Sequence, residues 1–405
     1  MARPERRAGS FPRVSDTEPT DARGLSPAIP AEEACCPPSD AASRRAFLAG
    51  SLGIVASACA GPTRDGSLRR EAEALREGAA AIASLPTVDL HAHPGAFHRP
   101  RTGSLPLQAL EEMRAGGVDV ALFAVSTDGP VIRREPGGGI RQFREPAPGQ
   151  IYQETVDRLA RVEERVSEGH LRLAREPADV AAIKASGVPG AILAFEGGDV
   201  LEGDPARVVE FHARGVRSIQ LVHYRINELG DIQTEPPRHG GLTDAGLEVI
   251  AEMNRLRMVV DGAHASADTL RGILAASRHP ILVSHTGPAA LRPTVRRHLS
   301  DDLLQAVASR GGLIGIWPLA RTPAGVEQLI AEVDYVRRLV GVEHVGIGTD
   351  MAGLASSSIP TYREFAPLPG ALLARGFSEA DTRRVLGENF LELFETVTEG
   401  RQHHL

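Results

Sequence analysis

The segment Met258–His285, MVVDGAHASADTLRGILAASRHPILVSH, contains a strand, a crossover helix and a second strand in succession. Its apolar run Met258–Asp261 leads to an amphipathic stretch over Ala267–Ser277, and Pro280 then opens a second apolar run, Ile281–Ser284. This order predicts two parallel strands of one sheet. A histidine follows each run, so we expect both imidazoles at the same edge of that sheet.

The same alternation recurs from about Leu85 to the end of the chain. The eight predicted strands are Thr87–His91, Val118–Ser126, Ala191–Phe195, Val216–Val222, Met258–Asp261, Ile281–Ser284, Leu313–Trp317 and His344–Thr349. The clearest predicted helices are Asp204–Arg214, Thr243–Leu256, Ala267–Ser277, Leu303–Arg310 and a last helix from Ser378 to about Val397. Eight such units predict an α/β protein with a TIM-type (β/α)8 barrel as a single domain over residues 85–405. The Gly- and Pro-rich stretch Pro94–Gly149 predicts long loops, either over the barrel mouth or on the plain surface.

Polar residues able to bind metals or transfer protons stand at the ends of six of these strands. They are His91 and His93 at strand one, Glu196 at strand three, His223 at strand four, His264 at strand five, His285 at strand six and Asp350 at strand eight. In this fold the C-terminal ends of the strands carry the catalytic groups. Strand alternation points the two histidines of strand one to the same side. Imidazole and carboxylate ligands without sulfur favour Zn²⁺, with Mn, Co or Fe ions as alternatives.

Two divalent ions held close together need a shared anionic ligand. A carboxylated lysine is one solution, but Lys184 is the only lysine of the chain and precedes strand three, at the wrong end for the site. Glu196 is therefore the expected bridge. The remaining histidines are expected to be structural or at the surface, with His239 nearest to the presumed mouth.

The N-terminal region predicts an exported protein. Residues 1–42 are rich in Pro, Ala, Ser and Arg, which predicts a disordered extension. Residues 43–59 contain Ser43-Arg44-Arg45-Ala46-Phe47-Leu48 and then a short, weakly apolar run, which is typical of a twin-arginine signal and too short to span a bilayer. Cys59 follows Ala56-Ser57-Ala58, so a lipid anchor on this cysteine is one outcome of processing. Residues 60–84 are expected to be a linker or helix, and the protein to be periplasmic or at the cell surface.

Composition narrows the partners of the main domain. A net charge of −7 provides no basic surface for nucleic acid. All three cysteines lie before Ala60, so the barrel has neither a disulfide nor a thiolate ligand.

Several short stretches, in their order and spacing from about Val88 to Thr396, resemble the membrane (renal) dipeptidase family of amidohydrolase-like barrels. These stretches are Phe195–Gly198, Gly215–Arg217 with His223 and Asn227, Gly241–Thr243, Met253–Leu256, Val260–His264, Ser284–Thr286, Gly346–Asp350 and Glu388–Leu391.

The resemblance implies a dinuclear zinc-dependent hydrolase that cleaves a dipeptide or related small amide with a hydroxide shared by two metal ions. Glu196 would bridge the ions. His91 and His93 would complete one site, and His264 and His285 the other.

The resemblance also implies roles beside the metals. His223 would stabilise the oxyanion, and Asp350 would accept the proton of the nucleophile and pass it to the leaving amine. Arg297, with Arg296 as a competitor, would bind the substrate carboxylate. The expected partners are a small peptide or amide and a second copy of the chain in a homodimer.

Two departures from the family pattern keep other functions open. His91-Ala92-His93 stands where the family has His-x-Asp, and Asp350-Met351-Ala352-Gly353 stands where it has Asp-Phe-Asp-Gly. The first removes a negative charge from a metal site. The alternatives are a barrel metallohydrolase for a lactone, phosphoester or cyclic amide, and a catalytically inactive exported binding protein.

Overall fold

The structure is a computed structural model that describes residues 84–97, 104–136, 138–320 and 326–400, together with residue 80. The predicted extension over residues 1–42 and export signal over residues 43–59 lie outside the described residues, as does most of the linker predicted for residues 60–84. Among the helices described here, none combines the length and the apolar character needed to cross a membrane.

Eight parallel strands follow one another around a nearly closed barrel, which confirms the predicted fold. They are β1 (Val88–Ala92), β2 (Val120–Ser126), β3 (Gly190–Glu196), β4 (Val216–Gln220), β5 (Val259–Asp261), β6 (Leu282–Thr286), β7 (Leu313–Ile316) and β8 (Val345–Ile347). Each strand pairs with the next in chain order, and the two-residue strand Arg172–Leu173 also pairs with β3. The residues of these strands are almost all buried, which is the reason for their continuous apolar runs.

The barrel closes where β1 meets the segment after β8. The His93 amide donates to the Met351 carbonyl at 2.9 Å, and the Asp350 amide donates to the His91 carbonyl at 2.8 Å. Below these bonds, the buried Asp89 carboxylate accepts from the Thr349 amide at 2.8 Å and from the Tyr362 hydroxyl at 2.8 Å. Burial raises the pKa of Asp89 to about 6, although these hydrogen bonds favour its ionised form. We call this junction the closing seam.

Helices connect the strands on the outside of the barrel. Within the described residues they are Leu107–Gly116, Gln150–Ser167, Pro177–Ser186, Ala206–Ala213, Asp244–Arg255, Ala267–Ala276, Asp301–Ala308, Glu327–Val340, Leu368–Ala374, Glu379–Arg383 and Asn389–Glu399. Two of the predicted helices begin at side-chain caps, because the Thr243 and Ser266 hydroxyls accept from the amides of Gly246 and Thr269.

The C-terminal helix differs from the prediction of one continuous helix. It is divided into Glu379–Arg383 and Asn389–Glu399 by a π-helical segment, Arg384–Glu388. The cause is a close approach at Gly387, where a Cβ atom would lie 2.3 Å from the Pro86 carbonyl oxygen. The backbone just before β1 therefore packs directly on this turn.

The stretch predicted to form long loops, Pro94–Gly149, also contains regular structure. Besides the helix Leu107–Gly116 and the strand β2, it forms an antiparallel hairpin of Ile132–Arg134 with Ile140–Gln142. We call these two strands and their turn the mouth hairpin, because residues of both strands border the cavity described below.

Candidate metal centre

The polar residues predicted at the strand ends meet at one end of the barrel and are buried. His91, His93, Glu196, His223, His264, His285 and Asp350 are each at most 8% exposed. The C-terminal ends of parallel strands share one rim, so residues that are far apart in sequence come together there. They form the floor of a cavity of about 420 Å³, except for His91 and His285, which lie below it.

These side chains form two groups of convergent ligand atoms that share one carboxylate. The first group is His91, His93, Glu196 and Asp350, and the second is Glu196, His264 and His285; the ligand atoms of each lie within 4.8 Å of one another. In the first group the Nε2 atoms of His91 and His93 lie 3.3 and 3.4 Å from the two oxygens of Glu196. In the second, the Nε2 atoms of His264 and His285 lie 3.4 and 3.6 Å from Oε1 of Glu196.

The chemistry of these atoms fits divalent cations. His93 Nδ1 lies 2.6 Å from the Ala124 carbonyl oxygen, which can only accept, so Nδ1 carries the proton and Nε2 is left as a ligand. His264 Nε2 and His285 Nε2 lie 3.0 Å apart. Burial, together with the charge of Arg297, lowers the pKa of both imidazoles well below the usual range, so they are neutral and able to bind a metal ion.

Glu196 stays ionised although it is buried. Burial opposes its charge, but the nearby His223, His91 and His93 hold its pKa well below the usual range. The Ser126 hydroxyl donates to Oε2 at 2.5 Å, which fixes the rotation of the carboxylate.

Asp350, the predicted proton acceptor, is itself a member of the first ligand group. Its Oδ1 is 3.3 Å from His93 Nε2. Asp350 has a positive φ of 47°, and His264 has one of 66°, a region that non-glycine residues enter at a cost of about 1 kcal/mol. Gly353 leaves room for the carboxylate, because a Cβ atom there would lie 1.9 Å from Asp350 Oδ1. The backbone after β8 is therefore shaped around this carboxylate.

His223 is held by a residue for which the sequence offers no signal, Asp128. His223 Nδ1 donates to Asp128 Oδ1 at 2.6 Å, and Asp128 Oδ2 accepts from the Tyr224 amide at 2.9 Å. His223 Nε2 lies 3.2 Å from Glu196 Oε1. Burial lowers the pKa of His223, but Asp128 and Glu196 outweigh it and raise that pKa well above the usual range. Asp128 follows β2 in a Thr-Asp-Gly sequence that is also typical of an ordinary turn.

The structure separates the two arginine candidates. Arg297 is 5% exposed, donates to Gln233 and to His285 Nε2, and lies 5.3 Å from the Trp317 ring. Its Nε atom is buried and has no hydrogen-bond partner among the described residues. Arg296 is exposed and donates to the Thr234 carbonyl, so it does not face the centre.

Lys184 and His239 lie away from the centre, as expected. Lys184 pairs with Asp119, just before β2 and at the opposite end of the barrel, at 3.0 Å. His239 is exposed, and its Nε2 lies 3.0 Å from the Asn227 carbonyl.

His298 is a structural histidine, and we predict that it makes the protein acid-sensitive. Its Nε2 accepts from Trp317 Nε1 at 3.1 Å, and burial lowers its pKa from 6.5 to about 4. The His298 side chain is therefore protonated below about pH 6.5 in the unfolded chain, but only below about pH 4 in the folded protein. Relative to His298→Gln, which keeps an acceptor, the wild type should lose about 3 kcal/mol of stability between these pH values. Thermal midpoints of both proteins from pH 4 to 7 measure this, and parallel curves would contradict it.

The fold and the site define a class of protein, the (β/α)8 barrels that carry a buried metal centre of histidines and carboxylates. The chain belongs to the membrane dipeptidase family (Peptidase family M19), whose family profile matches residues 80–404.

Related proteins include fungal dipeptidases and a bacterial structure. Over 251 residues the chain is 32% identical to dipeptidase verJ of Clonostachys rogersoniana, which covers 60% of this chain and 64% of that protein. Over 216 residues it is 34% identical to dipeptidase aclJ of Aspergillus oryzae, which covers 51% of each. The chain thus spans about half to just under two thirds of the length of these curated relatives. The crystal structure of the probable dipeptidase PvdM from Pseudomonas aeruginosa has the same fold, with a TM-score of 0.69 at 21% identity over 82% of this chain and all of that one.

Proposed function

We propose that this chain is a dinuclear metal-dependent hydrolase of dipeptides or closely related small amides, with Zn²⁺ as its metal. The observation that carries the proposal is the shared position of Glu196, which belongs to both ligand groups at the floor of the cavity. A binding protein needs neither two ligand groups nor an additional carboxylate beside them. The dipeptidases among its relatives support the choice of substrate.

The residues of the two groups would hold the ions. His91, His93 and Glu196, with Asp350 beside them, would bind one ion, and Glu196, His264 and His285 would bind the other. Two divalent ions supply a hydroxide nucleophile at neutral pH and polarise the amide carbonyl. His93 replaces the carboxylate of the family pattern, so the first group retains two anions, Glu196 and Asp350.

The chain's other side chains would position the substrate and move the proton. His223 Nε2 points to the floor of the cavity and would donate to the oxygen on which charge develops. The carboxylate of Asp350, which also lines the cavity, would take the proton of the nucleophile and deliver it to the leaving nitrogen. Arg297, with its free Nε donor, would bind the carboxylate of the substrate's C-terminal residue.

The experiment that tests this proposal measures metal content and turnover on the same preparation of the full chain. We expect two metal ions per chain and hydrolysis of dipeptides such as Ala-Ala. Treatment with a strong chelator should abolish the activity, and Zn²⁺, Mn²⁺ or Co²⁺ should restore it. One ion or none, with no turnover after metal addition, would favour the binding protein. Two ions with turnover of a lactone or phosphoester alone would favour the other hydrolases.

We propose further that the protein is exported in its folded form by the twin-arginine route. The support is the Ser43–Leu48 sequence and the short apolar run that follows it, which lie outside the described residues. Replacing Arg44 and Arg45 by lysine should keep the protein in the cytoplasm, whereas Cys59→Ser should release it from membranes only if this cysteine carries a lipid. The homodimer stays a prediction, which sedimentation of the purified protein would check.

A further inference from the structure

The cavity above the metal centre has side walls whose residues take no part in the proposed reaction. Its floor is formed by the residues of the centre, and one side is formed by Trp317, Leu319 and the segment Gly353–Ser356. The mouth hairpin forms another side. The part of a bound substrate that points out of the barrel would therefore contact the mouth hairpin.

The register of the mouth hairpin determines which side chains face the cavity. Ile132 pairs with Gln142, Arg133 with Arg141, and Arg134 with Ile140. Side chains alternate between the faces of a strand, and directly paired residues share a face. Ile132, Arg134 and Ile140 therefore lie on one face, and all three border the cavity. Arg134 is the charged residue of that face. Arg133, on the other face, borders the cavity as well, so the two arginines are distinguished by their partners.

The other arginines of the mouth hairpin already have partners. Arg133 Nε lies 3.0 Å from Glu135 Oε1, and its guanidinium lies over the Phe143 ring at 5.4 Å. Arg141 Nε lies 3.0 Å from Glu235 Oε1. The side chain of Arg134 is exposed and forms no hydrogen bond or ion pair with any residue that the structure describes.

The charge around Arg134 is unusual for this chain. Residues 131–145 contain four arginines and two glutamates, in a protein whose net charge is −7. The acidic residues that line the cavity are Glu196 and Asp350, and both belong to the centre at its floor. Gly353–Ser356 carry no charge. The wall above the centre thus presents the guanidinium of Arg134, which has no ion-pair partner among the described residues, whereas the neighbouring Glu135 pairs with Arg133.

We propose that Arg134 forms a subsite for a carboxylate on the side chain of the substrate's N-terminal residue, so that the preferred substrates are dipeptides beginning with glutamate or aspartate. This inference rests on the proposed function. Arg297 lies buried beside the second ligand group and would hold the C-terminal carboxylate there. The part of a dipeptide left to reach the mouth hairpin is then the N-terminal side chain. A guanidinium recognises a carboxylate through two parallel hydrogen bonds, which gives selectivity over a neutral amide of the same shape.

The test compares kcat/KM for Glu-Ala and for its neutral isostere Gln-Ala, and uses Ala-Glu to place the acidic side chain on the other residue. The wild type should prefer Glu-Ala over Gln-Ala by roughly twofold to fivefold, as expected for a solvated charge pair. Arg134→Gln should bring this ratio close to one, and Arg134→Glu should invert it and favour Lys-Ala. Arg133→Gln is the matched control, because it removes a neighbouring arginine whose charge is already paired, and it should leave the wild-type ratio.

Each other outcome contradicts a different part of the proposal. Equal turnover of Glu-Ala and Gln-Ala by the wild type would overturn the subsite and leave the dipeptidase function intact. If Arg133→Gln lowered the ratio of kcat/KM values as much as Arg134→Gln, the preference would come from the general positive charge of the mouth hairpin and not from a subsite at Arg134. A preference confined to Ala-Glu would overturn the assignment to the N-terminal residue. No turnover of any dipeptide would overturn the proposed function, and the subsite with it.

Discussion

Glu196→Gln should remove both the activity and at least one of the two proposed metal ions. The substitution keeps the size and shape of the side chain but replaces a carboxylate that lies 3.3 to 3.6 Å from the Nε2 atoms of His91, His93, His264 and His285. Without this charge, the two ligand groups would no longer share a carboxylate to offset the repulsion between the two proposed divalent ions. We expect kcat/KM to fall by roughly a thousandfold or more, a loss of about 4 kcal/mol of transition-state stabilisation.

The measurement is metal content per chain by mass spectrometry, with dipeptide turnover on the same sample. Ser126→Ala is the matched control, because it leaves the charge of Glu196 and removes only its hydrogen bond. That variant should bind metal roughly 10- to 100-fold more weakly and recover its activity at high metal concentration. A Glu196→Gln protein that keeps two ions and normal turnover would contradict the bridging role.

Asp128→Asn should lower kcat by roughly 100-fold or more and leave the metal content equal to that of the wild type. Asp128 accepts the Nδ1 proton of His223 and the Tyr224 amide with separate oxygens, and so fixes both the direction and the protonation of the imidazole. An asparagine can provide only one acceptor oxygen to these two donors. A histidine held by a neutral amide is less strongly biased toward the protonated form, which is the form that donates from Nε2. Groups that act as general acids or bases, or that stabilise an oxyanion, contribute about 10²–10⁴ in rate, so we expect a loss of this order.

Asp119→Asn is the control for this prediction, because it removes an aspartate from the opposite end of the barrel, where Asp119 pairs with the partly exposed Lys184. It should change kcat little. The test is steady-state kinetics with metal analysis for both variants. If Asp128→Asn lost its metal ions, Asp128 would be supporting the ligand groups rather than His223, and the assigned role would be wrong.

The barrel and its centre were predictable because both depend on local patterns. Continuous apolar runs that alternate with amphipathic helices identify parallel strands, and a polar residue just after each run must lie on the common rim. His264 and His285 follow from their own strand ends in this way. The observed strand boundaries differ from the predicted ones by at most two residues. These differences do not change the face assigned to any site residue.

The supporting residues were not predictable from these patterns, because their contacts join distant parts of the chain. Asp128 reaches His223 across 95 residues, and Ser126 reaches Glu196 across 70. Arg297 was predicted with its neighbour Arg296 as a competitor, and it is the burial of Arg297 that separates the two. The π-helical segment at Gly387 depends on the approach of Pro86, which no helix pattern contains.

The closing seam also determines when the two ligand groups can be completed during protein synthesis. Thr349 and Asp89, which meet at the seam, are separated by 260 residues, and the first ligand group takes His91 and His93 from one side of it and Asp350 from the other. At roughly 5–20 residues per second, a ribosome needs about 13 to 50 seconds to synthesise the chain between them. The group of Glu196, His264 and His285 is complete in the nascent chain well before Asp350 has been added. His91 and His93 therefore join their full ligand group, the one that could enclose a metal ion, only after β8 and Asp350 have been translated.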